Sequence, residues 1–387
     1  MRKRFGLAVV GFAIAFGVAS RFDSHAKENQ SLPVPSTSAK QQILANPNPQ
    51  GVTAFPTQGV FLNPSINPNP ALQFDAAAVK THTSDSAILE SPSNLHSKTL
   101  STGNLYAQTP TEDIPKTKDG ERFRRVMQEA IAQKLHQRPM GEVVQAISQE
   151  FLGAAYKADL LDQSKEETLV VNLNQFDCVL FVENVLAIAR GVAVQDYSYA
   201  TFVNHLRDQR YWDGQINGYC SRLHYFYEWI YDNQKRGTIQ NIGQQLGGVS
   251  LNKTLNFMSK HRQSYPPMAN DDATYQCMIE REGQLNGVAI EYIPTKQIRR
   301  VYSQLQPGDI IAVATNIPGL DVTHTGLVYR QANGNMGFIH ASPAGQVTIA
   351  RDLERYVSRV EHAIGILVAR PLDPRQTKNA YNTPLDF

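Results

Sequence analysis

A long segment without hydrophobic periodicity limits where this chain can fold. Residues 27–112 contain ten of the 21 prolines, many in Asn-Pro or Ser-Pro pairs, and their apolar residues occur singly. Such a segment buries too little apolar surface to offset the conformational entropy that is lost on folding. We therefore expect a disordered linker over 27–112, one folded domain over 113–372 and a C-terminal tail over 373–387.

The first 26 residues have the organisation of a secretory signal peptide. The basic stretch 1–4 precedes a run of apolar and small residues over 5–20, and Ser24-His25-Ala26 offers a small-x-small cleavage site. Sixteen residues of helix span about 24 Å, less than the roughly 30 Å hydrocarbon core of a bilayer. This favours cleavage and a periplasmic or secreted protein with no stable membrane span; an uncleaved inner-membrane anchor is the alternative.

The charge balance argues against a nucleic-acid partner. The 37 Lys+Arg and 35 Asp+Glu residues give a formal net charge of +2, whereas a protein that binds a phosphate backbone usually carries an excess of basic side chains. The three cysteines are too few for a disulfide scaffold and too scattered for a zinc finger. Cys220 and Cys277 could still pair in an exported protein, which would leave Cys178 as a free thiol.

Hydrophobic periodicity predicts an α+β domain. Apolar residues at helical spacing predict helices over 122–135, 143–152, 179–189, 196–206 and 222–231. After residue 308 the period changes, and we expect strands over 309–314, 324–329, 336–340, 347–350 and 365–369. A helical N-terminal half followed by a meander of strands favours helices packed on an antiparallel sheet.

Cys178 is a candidate nucleophile. The preceding Asp177 is a good helix N-cap, so Cys178 would lie in the first turn of a helix. Free backbone N–H groups and the positive end of the helix dipole favour a thiolate there, and the same N–H groups could receive a developing oxyanion. A buried structural cysteine is the alternative, because free cysteine is among the most buried residue types.

Two later histidines could supply the groups that a cysteine nucleophile requires. Such a nucleophile needs a base within hydrogen-bond reach and a third group that orients the base. His324 begins one predicted strand, and His340 ends the next. A strict two-residue turn at Asn333-Gly334 would place the histidines on opposite faces of the sheet. A longer loop of odd length centred nearer Ala332, or a bulge, would bring them together.

Six motifs in this part of the chain have a recognisable order. They are Phe-Leu-Gly-Ala-Ala-Tyr (151–156), Val-Asn-Leu-Asn-Gln-Phe-Asp-Cys-Val-Leu-Phe-Val-Glu (171–183), Tyr-Cys-Ser-Arg-Leu-His-Tyr (219–225), Gly-Asp-Ile-Ile (308–311), Gly-Leu-Asp-Val-Thr-His-Thr-Gly (319–326) and His-Ala-Ser (340–342). Across residues 120–372 this order resembles the N-acetylmuramoyl-L-alanine amidase-like family of the papain-like NlpC superfamily of cell-wall hydrolases. Six ordered motifs are far more specific than any one of them.

The resemblance implies a papain-like, NlpC-type fold with a defined set of catalytic residues. Cys178 would be the nucleophile, His324 the base and His340 the residue that orients the base. The hydroxyl of Tyr156 would lie near the oxyanion. The implied partner is peptidoglycan or a muropeptide, cut between the lactyl group of N-acetylmuramic acid and L-alanine, and the chemistry requires no metal or other cofactor.

Two positions depart from the family pattern. Leu180 stands where the family usually has a hydroxyl residue, and Ala154-Ala155 stands where it usually has Thr-Pro. Neither departure removes a catalytic group. Both affect the shape of the pocket, and therefore its fine specificity.

A further set of polar residues is expected to bind substrate: Tyr219, Ser221, Arg222, Asp321 and Ser342. Arg222 could grip a carboxylate through two hydrogen bonds or form an ordinary ion pair beside a helix. Asp321 could contact substrate or order its own loop, and the ordering role is favoured slightly. Ser342 could likewise contact substrate or order its own loop. A metal site formed by Asp321, Cys178 and the two histidines is a weaker alternative, since no close His/Cys pair has zinc-ligand spacing.

Two other functions fit the same residues. An endopeptidase that cuts γ-D-glutamyl-diaminopimelate bonds in the stem peptide would share every catalytic group. A non-catalytic wall-binding protein would use the long linker to reach into the cell wall, although an inert protein would often have lost Cys178 or His324.

Overall fold

The computed structural model describes residues 114–376, except 163, 165, 287 and 289. The expected signal peptide over 1–26 and linker over 27–112 lie outside these residues, as does the tail from 377 onward. In the described part of the chain, no helix combines the length and the apolar character needed to cross a membrane. The first residues of the predicted tail pack on the domain, because the Arg375 guanidinium donates to the carbonyl oxygens of His136 and Arg138 at 2.6 and 3.0 Å.

Helices dominate the N-terminal half of the domain, as the periodicity predicts. The helices are α1 (Lys118–Ala132), α2 (Met140–Gln149), α3 (Cys178–Ala193), α4 (Tyr199–Arg210), α5 (Phe226–Lys235), α6 (Phe257–Lys260), α7 (Pro266–Ala269), α8 (Asp272–Leu285) and α9 (Leu353–Val357). The first five correspond to the five predicted helices. Their ends differ from the predicted ends by one to four residues.

The strands form one short parallel pair and one large antiparallel sheet. The pair consists of β1 (Ala155–Tyr156) and β2 (Gln175–Phe176). The sheet contains β3 (Ile239–Asn241), β4 (Val249–Ser250), β5 (Glu291–Pro294), β6 (Ile310–Thr315), β7 (Val322–Arg330), β8 (Met336–Ala341), β9 (Val347–Ala350) and β10 (Ala363–Pro371). Its strand order is β4-β5-β10-β6-β7-β8-β9, with β3 also paired to β10. This architecture agrees with the predicted α+β class.

Helix α3 is the central helix of the domain. It is apolar on nearly every side, which is typical of a helix with no solvent-facing stripe, and only Arg190 among its residues is not buried. It packs against α2, α4, β7 and β8 on one face of the sheet. The opposite face has a second core that includes Val313, Val328 and Phe338, covered by α9 and by the 3₁₀ segment 295–301.

The connection between β7 and β8 brings the two histidines to the same face of the sheet. The strands are joined by a five-residue connection, 331–335, whose ends pair as Arg330 with Met336. Because this length is odd, even-numbered residues of β7 lie opposite even-numbered residues of β8. His324 and His340 therefore share a face. The loop is centred on Asn333, not nearer Ala332.

Candidate active site

Cys178 is the first residue of α3, as the sequence predicts. The Asp177 carboxylate caps the helix, with Oδ1 accepting a hydrogen bond from the Leu180 N–H at 2.7 Å. The pairing of β1 with β2 fixes the chain just before the cap, since β2 ends at Phe176. The nucleophile candidate therefore projects from a well-anchored helix start.

The other two cysteines are bonded to each other. Cys220 and Cys277 form a disulfide between the 219–221 turn and α8, separated by 57 positions in sequence. The pairing that the sequence left open therefore occurs. It leaves Cys178 as the free cysteine.

Burial keeps the Cys178 thiol protonated in this structure. Its side chain is 1% exposed, and burial raises the pKa of the thiol to about 12, with a further contribution from the negative charge of Asp177. Hydrogen bonds from Thr325 act in the opposite direction. The pKa of the thiol is therefore raised, whereas the helix N-terminus alone would lower it, because desolvation and a neighbouring carboxylate both disfavour the thiolate.

Cys178 lies beside β7. The Thr325 hydroxyl donates to the Cys178 carbonyl oxygen at 2.9 Å. The Val328 N–H donates to the Asp309 carbonyl oxygen on the β6 side, so strand alternation directs the Thr325 N–H towards β8. The pairing of β7 with β8 ends at Leu327. Thr325 therefore contacts the first residue of α3 where β7 and β8 separate.

His324 and His340 form a hydrogen-bonded imidazole pair. Nε2 of His324 lies 2.7 Å from Nδ1 of His340, and both side chains are buried. Burial lowers the pKa of His324 to about 3 and also lowers that of His340. Both rings are therefore neutral at pH 7. Since His324 uses Nε2 for the pair, its Nδ1 is the nitrogen that remains for proton transfer.

Two aromatic rings fix the orientation of these imidazoles. Phe338 stacks on His340 with ring centroids 4.8 Å apart and an interplanar angle of 17°. Tyr356, from α9, has its ring centroid 4.7 Å from that of His340 and 5.9 Å from that of His324. Close packing on two sides restricts ring rotation, so the 2.7 Å bond is held by its surroundings.

The predicted base, His324, and the residue that contacts the predicted nucleophile, Thr325, are neighbours in β7. His324 lies on the face that bears Val313 and Phe338, while Thr325, whose hydroxyl donates to the Cys178 carbonyl oxygen, lies on the α3 face. The hydrogen bonds of the described residues do not include one between the Cys178 sulfur and His324. The structure thus joins His324 to His340, and Cys178 to the residue next to His324.

Tyr156 lies near Cys178, the predicted nucleophile. It is opposite Phe176 in the β1–β2 pair, two residues before Cys178. Burial raises the pKa of the Tyr156 hydroxyl far above its ordinary value, and the neighbouring Asp177 carboxylate adds to this effect. The hydroxyl therefore stays protonated and able to donate a hydrogen bond. This position is compatible with the predicted role beside an oxyanion.

Arg222 is bound within the protein. One Nη lies 2.6 Å from Asp162 Oδ1, the other donates to the Leu161 carbonyl oxygen at 3.1 Å, and the side chain is 2% exposed. The guanidinium also lies over the ring of Tyr219, 4.9 Å from its centroid. Of the two roles that the sequence left open, this arrangement favours the internal ion pair. Tyr219 is correspondingly buried beneath the guanidinium.

Asp321 and Ser221 order the backbone around them. Asp321 accepts hydrogen bonds from the N–H groups of Tyr227 and Val322, each at 2.8 Å, which is the ordering role that the sequence favoured. Ser221 donates to the Gly218 carbonyl oxygen at 2.7 Å. Among residues 114–376 as described, no group of three or more His, Cys, Asp and Glu side chains is arranged to hold a metal ion.

Ser342 differs, because it borders open space beside the candidate catalytic residue Tyr156. It lines a cavity of about 310 Å³ at the β8–β9 turn, together with Gly345 and Gln346. The Tyr156 N–H donates to the Gly345 carbonyl oxygen at 2.8 Å, so this cavity adjoins Tyr156. A larger cavity of about 620 Å³ lies at Arg330, the opposite end of β7 from His324. We therefore favour the smaller cavity as the approach for substrate.

The sequence reasoning did not single out Thr325, Asp162 or Tyr356. Thr325 belongs to a motif quoted above, and strand alternation next to His324 could have placed it on the helix-packed face. Asp162 lies in a short 3₁₀ turn, and Tyr356 in a helix of five residues. Neither has a local pattern that would connect it to a residue far away in sequence.

Comparisons with known proteins support one family. A family model described as AmiA-like, N-acetylmuramoyl-L-alanine amidase-like, matches residues 146–366, which is more than half of the chain. A comparison with curated protein sequences gives no match.

Solved structures with similar folds include two of an N-acetylmuramoyl-L-alanine amidase from Bacteroides uniformis ATCC 8492. Each is 30% identical to this chain with a TM-score of 0.57, and the alignments cover 60% of this chain and 99% or 98% of the other. A protein from Bacteroides fragilis, provisionally named a xylanase, is 31% identical with a TM-score of 0.51, covering 58% of this chain and 98% of its own. With the family match over 146–366, these findings show that the chain belongs to the N-acetylmuramoyl-L-alanine amidase-like family.

Proposed function

We propose that this chain is an exported cysteine amidase that hydrolyses the amide between N-acetylmuramic acid and L-alanine in peptidoglycan or its fragments. The observation that carries the proposal is the position of Cys178 at the start of α3, where its carbonyl oxygen accepts a 2.9 Å hydrogen bond from Thr325, the residue next to His324 of the His324–His340 pair. The family membership supports the bond specificity, as does the amidase activity named for the Bacteroides uniformis protein.

In the proposed mechanism His324 takes the thiol proton through Nδ1, which requires the start of β7 to shift so that the ring, on the opposite face of the strand from Cys178 in this structure, reaches the sulfur. The 2.7 Å bond between Nε2 of His324 and Nδ1 of His340 requires a proton on one of these nitrogens. When His324 carries it, Nδ1 of His324 has the lone pair that a base needs, and His340 is the acceptor. His340 thereby fixes the tautomer of the base and stabilises the imidazolium that forms.

Proton transfer accompanies attack in this mechanism. Burial raises the pKa of Cys178 and lowers that of His324, so the thiol and the imidazole are both neutral before reaction. A thiolate–imidazolium pair therefore does not precede the substrate. The proton moves to His324 as the sulfur approaches the carbonyl carbon, which is general-base catalysis of a nucleophilic attack.

The bond changes that follow are those of acyl transfer through a thioester. The sulfur adds to the lactyl carbonyl carbon, and the resulting oxyanion receives hydrogen bonds from the Tyr156 hydroxyl and from N–H groups at the start of α3. The C–N bond breaks, and His324 returns its proton to the leaving amine of L-alanine. Water then loses a proton to His324 and attacks the thioester, which releases the lactyl carboxylic acid and the free thiol.

The arrangement also supports a papain-like fold of the NlpC type and an exported location. The cysteine begins a buried helix that packs on an antiparallel sheet whose later strands bear the two histidines, which is the order of elements that such a fold requires. The Cys220–Cys277 disulfide supports export, because disulfides persist mainly in oxidising compartments. The signal-like residues 1–26 point to the same location.

The test is incubation of the full chain with a defined muropeptide, followed by identification of the products. An amidase releases the intact stem peptide from N-acetylmuramic acid, whereas a γ-D-glutamyl-diaminopimelate endopeptidase releases L-alanyl-D-glutamate. We expect the intact peptide from the parent and no product from Cys178→Ala or His324→Gln.

A matched control guards against general damage by histidine replacement. His362 is 47% exposed and has a positive φ of 63°, which asparagine tolerates, so His362→Asn should retain parental activity. Equal turnover by the parent and Cys178→Ala would place the nucleophile elsewhere. No product from a folded parent would favour the wall-binding alternative.

A further inference from the structure

A small cavity lies between α5, α8 and the 3₁₀ segment 212–214. The described residues that line it include none of the candidate site residues named above. Its volume is about 180 Å³, below the roughly 300–1,000 Å³ of a pocket for a drug-sized ligand, so it suits a single ring. Glu228 and Tyr231 line it from α5 and Arg281 and Gln284 from α8, in each case three residues apart and therefore on one face of the helix.

Two aromatic rings form one wall of the cavity. Trp212 and Tyr231 are nearly parallel, with an interplanar angle of 24° and ring centroids 6.4 Å apart. Trp212 is half-buried. Among the exposed large apolar side chains of the described residues, Tyr231 is the one aromatic, at 39% exposed. At the mouth of a cavity, such a ring offers a flat apolar surface to a ligand.

The polar side chains of the cavity are planar and held in place. The Arg281 guanidinium lies over the ring of Trp212, 4.6 Å from its centroid, and donates to Gln284 Oε1 at 3.4 Å. The Gln284 amide nitrogen carries two further N–H donors. The Cys220–Cys277 disulfide lies one helical turn before Arg281 and ties this part of α8 to the 219–221 turn. The lining is therefore preorganised, which reduces the entropic cost of binding a ligand.

We propose that this cavity binds one pyranose ring of the cell-wall glycan. A pyranose presents C–H groups on its faces and oxygen atoms around its edge, so one face can stack on Tyr231 and Trp212. Arg281 and Gln284 then donate to hydroxyl or acetamido oxygens at the edge. A purely apolar ligand would bury these donors without partners, and a free anion would meet the Glu228 carboxyl in the same cavity. The pyranose chemistry is argued from the cavity alone, whereas the choice of the wall glycan rests on the proposed function.

Tryptophan fluorescence of the full chain measures this binding directly. The sequence contains two tryptophans, and Trp229 is 1% exposed, so a change on titration with a hexamer of N-acetylglucosamine reports on Trp212. This probe carries no lactyl amide, so the proposed reaction does not consume it. We expect a saturable change in the parent and none in Trp212→Phe, which lacks the reporter. A change that persists in Trp212→Phe would place the saccharide elsewhere and overturn the inference.

Calorimetry with the same hexamer measures the contribution of the exposed ring. We expect Tyr231→Ala to weaken binding about ten- to thirtyfold, as for loss of an aromatic hot spot, and Tyr231→Phe to bind within about twofold of the parent. Val249→Ala, which shortens an apolar side chain of similar exposure (42%) on β4, is the matched control and should bind like the parent. If Tyr231→Ala does not fold by circular dichroism, Gln284→Ala takes its place, because this side chain is exposed. Loss of its hydrogen bond should weaken binding about threefold or more.

The outcomes separate this inference from the proposed function. Equal affinity of the parent and Tyr231→Ala would overturn the saccharide site. A parent that releases peptide from a muropeptide but shows no saturable binding of the hexamer would overturn the site and leave the amidase assignment. A parent that binds the hexamer but cleaves no muropeptide would overturn the amidase assignment and leave the site. Equal affinity for a hexamer of glucose would overturn the assignment to the wall glycan.

Discussion

Replacement of Asp177 by asparagine tests the electrostatic cost of placing a carboxylate beside the nucleophile. The Asp177 side chain is buried and caps α3 through a 2.7 Å hydrogen bond from the Leu180 N–H. Asparagine is an equally good N-cap, so Asp177→Asn keeps this bond and removes only the charge. The variant therefore isolates the penalty of ionising a desolvated carboxyl group.

The size and the pH window of the effect follow from the pKa of Asp177. Burial raises this pKa to about 7 from an ordinary value of 3.8. Because the folded pKa lies above the unfolded one, the stabilisation from this group is complete below about pH 4 and is lost as the pH rises through about 7. At about 1.36 kcal/mol per pKa unit, the full difference corresponds to about 4 kcal/mol. We expect Asp177→Asn to exceed the parent in free energy of unfolding by up to this amount at pH 8, and to match it at pH 4.

The assay is urea unfolding of the parent, Asp177→Asn and Asp177→Ala between pH 4 and 9. The alanine variant also loses the cap, which costs about 1 kcal/mol at every pH. Its free energy of unfolding should therefore lie below that of the asparagine variant by a constant amount. A difference between parent and Asp177→Asn that stays constant over this range would refute the reasoning. A less stable asparagine variant at pH 8 would also refute it.

Four other outcomes follow from the same contacts. His340→Ala should lower kcat by about 10²–10³-fold with little change in KM, because His324 loses the partner that fixes its tautomer; His340→Asn should restore part of the rate, and an unchanged kcat would contradict the pairing. Tyr156→Phe should lower kcat about 10²-fold in the same steady-state assay, and a shift confined to KM would exclude a role at the oxyanion. Because the pKa of His324 is lowered to about 3, the unfolded chain takes up the proton first as the pH falls below 6.5. The free energy of unfolding should therefore fall from pH 6.5 towards 3, and less steeply in His324→Gln; identical pH profiles would contradict this. The double variant Cys220→Ser/Cys277→Ser opens a loop of 57 residues and should lower the free energy of unfolding in urea by about 4 kcal/mol. Unchanged urea midpoints would disprove this loss.

Elements with regular hydrophobic spacing were predictable from the sequence. The strand predicted over 347–350 matches β9 at both ends. The segment 236–308 was not assigned, because most of its helices and strands are two to four residues long and too short to show a period. Helix α8 is longer, but its buried positions are only Met278, Glu282 and Leu285, so a carboxylate interrupts the apolar stripe. Glu282 is there because the Tyr225 hydroxyl donates to it at 2.6 Å, a contact across 57 positions that no local pattern reveals.

The order of the site residues along the chain was predictable, but the directions of their pKa shifts and the faces of the sheet on which they lie were not. The N-cap at Asp177 located Cys178 at a helix start, yet the direction of its pKa depends on burial by distant strands. The facing of the two histidines depended on one loop. Asn333-Gly334 is typical of a two-residue turn, but the Gln331 N–H donates to the Asn335 carbonyl oxygen at 3.0 Å and closes five residues instead.

The coexistence of a disulfide and a reduced cysteine in one domain has a chemical consequence. Thiol–disulfide exchange requires a thiolate that can reach a sulfur–sulfur bond. Cys178 is both shielded and held in its acidic form, so it is a poor attacker of the Cys220–Cys277 bridge and of small disulfides in solution. Under the proposed mechanism, the burial that makes the thiol depend on a base thus also protects the folded domain from thiol–disulfide exchange.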